Sequence, residues 1–168
     1  MADQTTLLLT DTQQRFIEDM AYLWEKSGGQ RMTGRILGWL LIADPPYQSA
    51  AQIAKALSAS KGSISTGLRS LVDLGLLQRT SVPPRRVDHY RAAPGMWLET
   101  ARRSTPTIRA MIDLGSRGLA VLGDDAEPER RAPLEEMVAF YTYTMTEMAA
   151  ALDRWQADRD GRPGGGSR

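Results

Sequence analysis

No cysteine occurs in the 168 residues, so disulfides, thiolate metal sites and cysteine nucleophiles are excluded. Histidine is almost as scarce. The one copy, His89, has Asp88 beside it, but neighbouring residues on a strand point to opposite faces. A catalytic imidazole needs a positioned carboxylate, and a histidine metal site needs more ligands than this chain holds. No phosphate loop is present, because Gly28-Gly29 and Gly62 lack the required neighbours. The pair Glu135-Glu136 sits at a helix start, where it favours the helix dipole, and this suits it better than the role of a catalytic dyad. These absences predict a protein that is not an enzyme and uses no metal or cofactor.

Long apolar runs are also missing. None approaches the roughly 20 residues of a membrane span. Leu7-Leu8-Leu9 is too short for a signal-peptide core and has no basic region before it. The expected location is the cytoplasm, with no membrane partner. Nor is there a strong excess of either charge, since the net value is +1. The distribution is more telling. From Arg31 to Arg91, nine Lys/Arg face only Asp44, Asp73 and Asp88; from Asp124 to Asp160, ten acids face four arginines. One basic segment and one acidic arm suit a nucleic-acid contact followed by a region with another task.

The basic segment contains the most legible order of elements. Ser49 and Gln52 have the spacing of a capping box, so a helix starts there, with Ile53, Ala54 and Leu57 on its apolar face. Ser58-Ala59-Ser60 breaks it. A second helix over 61–74 buries Ile64, Leu68, Leu71 and Leu74, and Gly75 takes the C-terminal glycine position. Leu76 to Val82 favours a strand, Pro83-Pro84-Arg85-Arg86 a turn, and Val87 to Ala92 the returning strand. Helix, turn, helix, hairpin is the order of a winged helix-turn-helix.

Opposite Ile64 the second helix carries Gly62, Thr66 and Arg69, flanked by Lys61, Ser63, Ser65 and Ser70. Short hydroxyls and two cations near a helix N-terminus can read base edges and touch phosphates. An exposed helix chosen for stability alone would use Glu, Lys and Ala. Gly62 and Gly67 are poor helix formers, which suggests close approach to a partner. The expected major-groove contacts are Lys61, Ser63, Ser65, Thr66 and Arg69. Arg85 and Arg86 are expected to meet the minor groove or phosphates, in a hairpin that also carries Arg79 and Arg91. A charged edge hairpin that merely resists aggregation is the plainer alternative.

Outside this module the chain predicts helices. Thr10 or Asp11 caps a first one, with Phe16, Ile17, Met20, Leu23 and Trp24 on its apolar face, packing against the C-terminal arm. Gln30 to Ala43 is a second, in which Gly34 and Gly38 allow close helix–helix contact and Asp44-Pro45-Pro46 is the stop. A long helix follows from Pro94, with a kink or short break near Ser104 or Thr105 caused by Pro106. Pro133 opens the last helix. There Leu134, Val138, Tyr141, Met145, Met148, Leu152 and Trp155 step by four and three, widened by Met137 and Ala149. Such a seam exceeds what one winged helix needs, and a partner subunit is the expected occupant. A seam satisfied inside one subunit is the alternative.

Residues 30–91 resemble the winged-helix core of MarR-family transcriptional regulators, with the nearer likeness to the GbsR-like branch and to mycobacterial MarR-type repressors of membrane-transport operons. The likeness rests on Arg31 to Leu41, Asp44-Pro45, Ser60 to Ser65 and Leu74 to Leu77. It extends to nearly the whole chain through the helical arms. The family's wing often has a Gly-Asp-Arg type tip, and here Arg85 or Arg86 of Pro83-Pro84-Arg85-Arg86 takes the arginine's place. The resemblance implies a mainly α fold with a small β-hairpin wing, a winged helix-turn-helix plus helical dimerisation arms. The implied divisions are an N-terminal dimerisation helix over 1–29, the DNA-binding module over 30–93 and C-terminal dimerisation helices over 94–157; the tail over 158–168 ends Gly-Gly-Gly-Ser-Arg and is expected to be disordered.

The function so implied is that of a homodimeric, sequence-specific DNA-binding regulator. It would be a ligand-responsive repressor of its own or a neighbouring transport or stress operon, on an imperfect palindrome. The family further implies a small apolar or amphipathic effector, for which Trp24, Trp39, Trp97, Met111 and Met145 are candidate wall residues, each also suited to plain core. The alternative function is a winged-helix protein-interaction module without specific DNA binding.

Overall fold

The computed structural model describes residues 9–82 and 87–161. Ten elements follow in order: α1 (Asp11–Lys26), α2 (Arg31–Ile42), β1 (Gln48–Ser49), α3 (Ala50–Ala56), α4 (Lys61–Asp73), β2 (Leu77–Val82), β3 (Val87–Ala92), α5 (Met96–Arg102), α6 (Thr105–Leu122) and α7 (Pro128–Asp160). They form two compact units that divide after Met96. The fold is mainly α with a small antiparallel sheet, as expected.

In the first unit, local chemistry sets the helix ends. Thr10 caps α1 in a full capping box with Gln13, and Ser49 does the same for α3 with Gln52. Each box satisfies two backbone donors that a helix start otherwise leaves bare. Ser49→Ala removes both the acceptor for the Gln52 amide and a hydroxyl held by the Gln52 side chain. It is expected to cost about 1–2 kcal/mol in denaturant titration. At the other end of α4, Gly75 has a φ of +73°. Its amide bonds the Val72 carbonyl, and the Leu76 amide reaches back to the Leu71 carbonyl. This pair of bonds turns the chain sharply into β2.

The core joins α1 to α4 and the sheet through Ile17, Ile36, Leu37, Trp39, Leu40, Ile53, Leu57, Ile64, Leu68, Leu71, Leu76, Leu77 and Met96. Helix α2 lies at its centre. On one side α1 sits so close that a Cβ on Gly34 would lie 2.7 Å from Ala21 Cα, and one on Gly38 would lie 3.2 Å from Ile17 Cα. On the other side, a Cβ on Gly67 of α4 would lie 2.5 Å from Ile36 Cδ1. The α1–α2 seam is pinned at its surface by Arg31, which bonds Glu18 at 2.6 Å and Glu25 at 3.3 Å, and by Arg35, 2.9 Å from Glu18. The hydrogen bond to Glu18 and its charge push the Arg31 pKa up, so the guanidinium holds its proton throughout the usual pH range.

Several expectations are corrected here. The face of α1 toward the core is Ile17 and Ala21 with Met20 and Trp24, and it packs on α2; Phe16 and Leu23 stay exposed. Leu74 is the C-cap of α4 and is exposed rather than core, because α4 turns out of its helical path there. Gly67 serves the packing of α4 on α2, and so says nothing of an approaching partner. Leu9, just before α1, packs against the core. The sheet has three strands in the order β1-β3-β2, where two were expected. Gln48 and Ser49 pair with Tyr90 and His89, and the Gln48 side chain donates through Nε2 to the Pro45 carbonyl at 2.6 Å.

In the second unit α6 and α7 pack as an antiparallel pair. Gly115 and Gly118 of α6 meet Val138 and Leu134 of α7, while nearer the other end Ser104 approaches Met148 and Arg102 bonds Gln156. Pro106 produces a break, not a kink: α5 ends at Arg102 and α6 restarts with Ser104 as its N-cap. Pro94 lies in a turn, and α5 begins only at Met96. Pro128 opens α7, and Pro133 lies inside it. Proline tolerates a first helical turn, and two candidates five residues apart leave the start ambiguous in sequence. Residues 158–160, expected in the tail, are helical.

The seam of α7 is used within the chain. Leu134, Met137, Val138, Tyr141, Met145, Met148 and Leu152 are half-buried, whereas Ala149 and Trp155 are exposed. None of the helix is fully buried, and Phe140 and Tyr143 point to solvent on another face.

Candidate nucleic-acid interface

Helix α4 is presented by its own start. Ser60 is the N-cap, and its hydroxyl accepts from the Ser63 amide at 3.2 Å. Ile64, Gly67, Leu68 and Leu71 are buried, and this turns Lys61, Gly62, Ser65, Thr66, Arg69 and Ser70 outward as one exposed strip. Gly62 has open space where a Cβ would be. Of the expected contact residues, Lys61, Ser65, Thr66 and Arg69 therefore share one surface. Ser63 is different: it is half-buried, and its hydroxyl donates to the Ser60 carbonyl at 2.9 Å. Its first task is local, at the cap.

The hairpin stands beside this strip. A groove of about 260 Å³ separates them, with Ser65 and Arg69 on its α4 side and Arg79 and Tyr90 on the strands. Arg79 lies 3.6 Å from Asp88 and stays largely exposed. Arg91 is tied into the fold, donating to Gln78 at 2.7 and 3.0 Å and stacking over the Tyr47 ring. His89 contacts the Val87 carbonyl through Nδ1. Arg85 and Arg86, with the whole tip, lie outside the described residues.

On the flank of α4 away from the hairpin is a larger groove, about 490 Å³. The turn from Ser27 to Gln30 forms one wall, with Trp24 and Thr33 behind it and Thr66, Ser70 and Leu74 opposite. In sequence Gly28-Gly29 served only to exclude a phosphate loop. The signal for a groove was in the geometry: a Cβ on Gly29 would overlap the Trp24 ring, so the turn folds back over that side chain.

The candidate effector residues are divided between the two units. Trp24 borders the larger groove, and Trp39 is in the core at 2% exposure, so it lines no open cavity. Trp97, Met111 and Met145 belong to the second unit, where Trp97 is exposed and both methionines are half-buried. Among the described residues no cluster of metal-ligating side chains occurs, and no helix is long and apolar enough to cross a membrane.

Helices α2 to α4 followed by a paired hairpin define a winged helix-turn-helix protein with added helices on both sides. Residues 27–86 match the MarR family, and residues 95–158 match the MmpR5-like MarR family transcriptional regulators. The chain is 36% identical over 140 residues to the HTH-type transcriptional regulator MmpR5 of Mycobacterium tuberculosis, spanning 83% of this chain and 84% of that protein. A crystal structure of a transcriptional regulator, 34% identical, superposes with a TM-score of 0.72 over 87% of this chain and 99% of that one. The chain belongs to the MarR family of transcriptional regulators. It is a DNA-binding regulator and not an enzyme.

Proposed function

We propose that the protein is a homodimeric, ligand-responsive repressor that acts in the cytoplasm on its own or a neighbouring transport or stress operon. One observation carries the DNA-reading part. Burial of Ile64, Gly67, Leu68 and Leu71 turns Lys61, Ser65, Thr66 and Arg69 outward together. Two such helices in a dimer enter successive major grooves on an imperfect palindrome, about one helical turn apart. Ser63 supports the N-terminal turn of each. Arg85 and Arg86 meet the minor groove or phosphates at the flanks.

Dimerisation is supported by the apolar side chains left in solvent: Phe16 and Leu23 of α1, Leu114 and Val121 of α6, and Phe140 and Tyr143 of α7. Isolated exposed residues of this kind are common, but several of them on each unit suit an association surface. Phe140→Ser with Tyr143→Ser is expected to shift the sedimenting species from dimer to monomer without lowering its helix content. A wild-type protein that sediments as a monomer would remove the homodimer from this reading. By family likeness the effector is small and apolar or amphipathic, with Trp24, Trp97, Met111 and Met145 as its candidate walls.

The test of the whole reading is fluorescence anisotropy with the duplex upstream of the protein's own gene. A scrambled duplex is the control, and both are run over a salt series. Preference for the upstream duplex, with affinity falling steeply as salt rises, is the expected result. Equal, weak binding to both at low salt would leave a basic surface without sequence reading.

A further inference from the structure

Helix α4 holds a glycine that the fold does not use. Among the described residues, four glycines sit at positive φ, six others would bring a Cβ to 3.1 Å or less from a neighbour, and Gly161 is the C-cap of α7. Gly62 serves none of these ends. It lies in the first turn of α4, in helical backbone that any residue adopts. It is exposed, and nothing lies within 4 Å of where its Cβ would be. Glycine weakens a helix relative to alanine. An acid in the first turn would gain from the helix dipole, yet this turn has none. Helix stability therefore does not account for the residue.

Its neighbours on the helix show what the bare backbone is for. Gly62, Thr66 and Arg69 are four and seven residues apart, so they form the ridge of the outward strip, opposite the buried Ile64. Side-chain length grows along this ridge, from none at Gly62 through the short Thr66 to the long Arg69, over about 10 Å of helix. Asp73 continues the line one turn later and is engaged within the protein. A surface that touches all three stands nearest the helix axis at Gly62 and recedes toward Arg69. A helix inclined into a major groove by its first turn meets base edges in this way. We infer that Gly62 is a specificity-determining residue: its missing side chain lets the backbone of α4 lie against base edges of the DNA. The inference rests on the proposed reading of α4 and adds to it the depth and tilt of the helix. A Cβ at this position holds the first turn away by roughly 1.5 Å, one bond length. Hydrogen bonds from Ser65 and Thr66 to the bases do not survive that stretch, whereas the flexible Arg69 follows.

The test compares full-length Gly62→Ala and Gly62→Leu with the wild type, by thermal melts and by anisotropy on the upstream and scrambled duplexes. Both variants should melt at or above the wild-type temperature, because the new side chain enters open space and favours the helix. Gly62→Ala should weaken the upstream duplex about tenfold, and Gly62→Leu further. The scrambled duplex, held through phosphates, should change by less than about twofold and keep its salt slope. An upstream affinity within about twofold of wild type for both variants would overturn the inference. So would an equal loss on both duplexes, since residue 62 would then clear only the sugar–phosphate wall. A lowered melting temperature would assign Gly62 to the fold and also overturn it. Arg69→Ala separates the inference from its premise. If it weakens the upstream duplex while the Gly62 variants do not, the reading of α4 stands and only the role of Gly62 falls. If neither position matters, the reading of α4 falls, and this inference with it.

Discussion

Gly34→Val is expected to be the most damaging substitution in the first unit, costing about 3 kcal/mol of stability and lowering the melting temperature by about 6–12 °C. The first atom of the new side chain would lie 2.7 Å from Ala21 Cα and from Trp24 Cβ, and 3.1 Å from the Met20 carbonyl oxygen. Two of these three are backbone atoms and cannot swing aside, so α1 itself has to move. Removing a glycine from a helix interior returns about 1 kcal/mol at most, which is too little to offset that displacement. At Gly38 the nearest distances are 3.1 and 3.2 Å, so Gly38→Ala should be felt less. Thermal melts followed by circular dichroism decide the matter: a Gly34→Val protein that melts with the wild type would mean that the helices are not in this close contact.

The largest functional effect is expected at Arg69. Its side chain is exposed on the outward strip of α4, beside the groove shared with Arg79. No hydrogen bond holds it within the described part of the fold. Arg69→Ala should therefore leave the melting temperature unchanged while weakening binding to the upstream duplex by about 1–3 kcal/mol. If Arg69 meets a base edge, the scrambled duplex should lose much less, and the preference between the two should narrow. An equal loss on both, with a shallower salt slope, would assign Arg69 to a phosphate instead. No change on either duplex would move the reading surface away from α4.

What the sequence could reveal follows from the range of the interactions concerned. The Ser49–Gln52 and Thr10–Gln13 boxes and the turn at Gly75 are closed within a few residues, so spacing alone locates them. The apolar steps of α4 locate its inner face, and with it the outward strip. The features that escaped depend on distant partners. Strand β1 is two residues long and exists only because Tyr90 and His89 lie beside it. Gly67 looked like an adaptation to an outside partner because its true neighbour, Ile36, comes from another helix. The α7 seam was periodic enough to show packing, but periodicity does not say whether the partner is α6 of the same chain or a second chain.

The three close approaches around α2 have a mechanical meaning. Between α1 and α2 small residues bring the helices together with little side chain between them, whereas at Gly67 of α4 the Ile36 side chain of α2 fills the space. Interdigitated long side chains can change rotamer and absorb a displacement, while backbone seated on backbone has no such slack. Helices α1 and α2 therefore move as one stiff piece. A push on the exposed side of α1, at Phe16 or Leu23, is therefore passed to α2 as a rigid tilt, with Gly34 and Gly38 as its bearings.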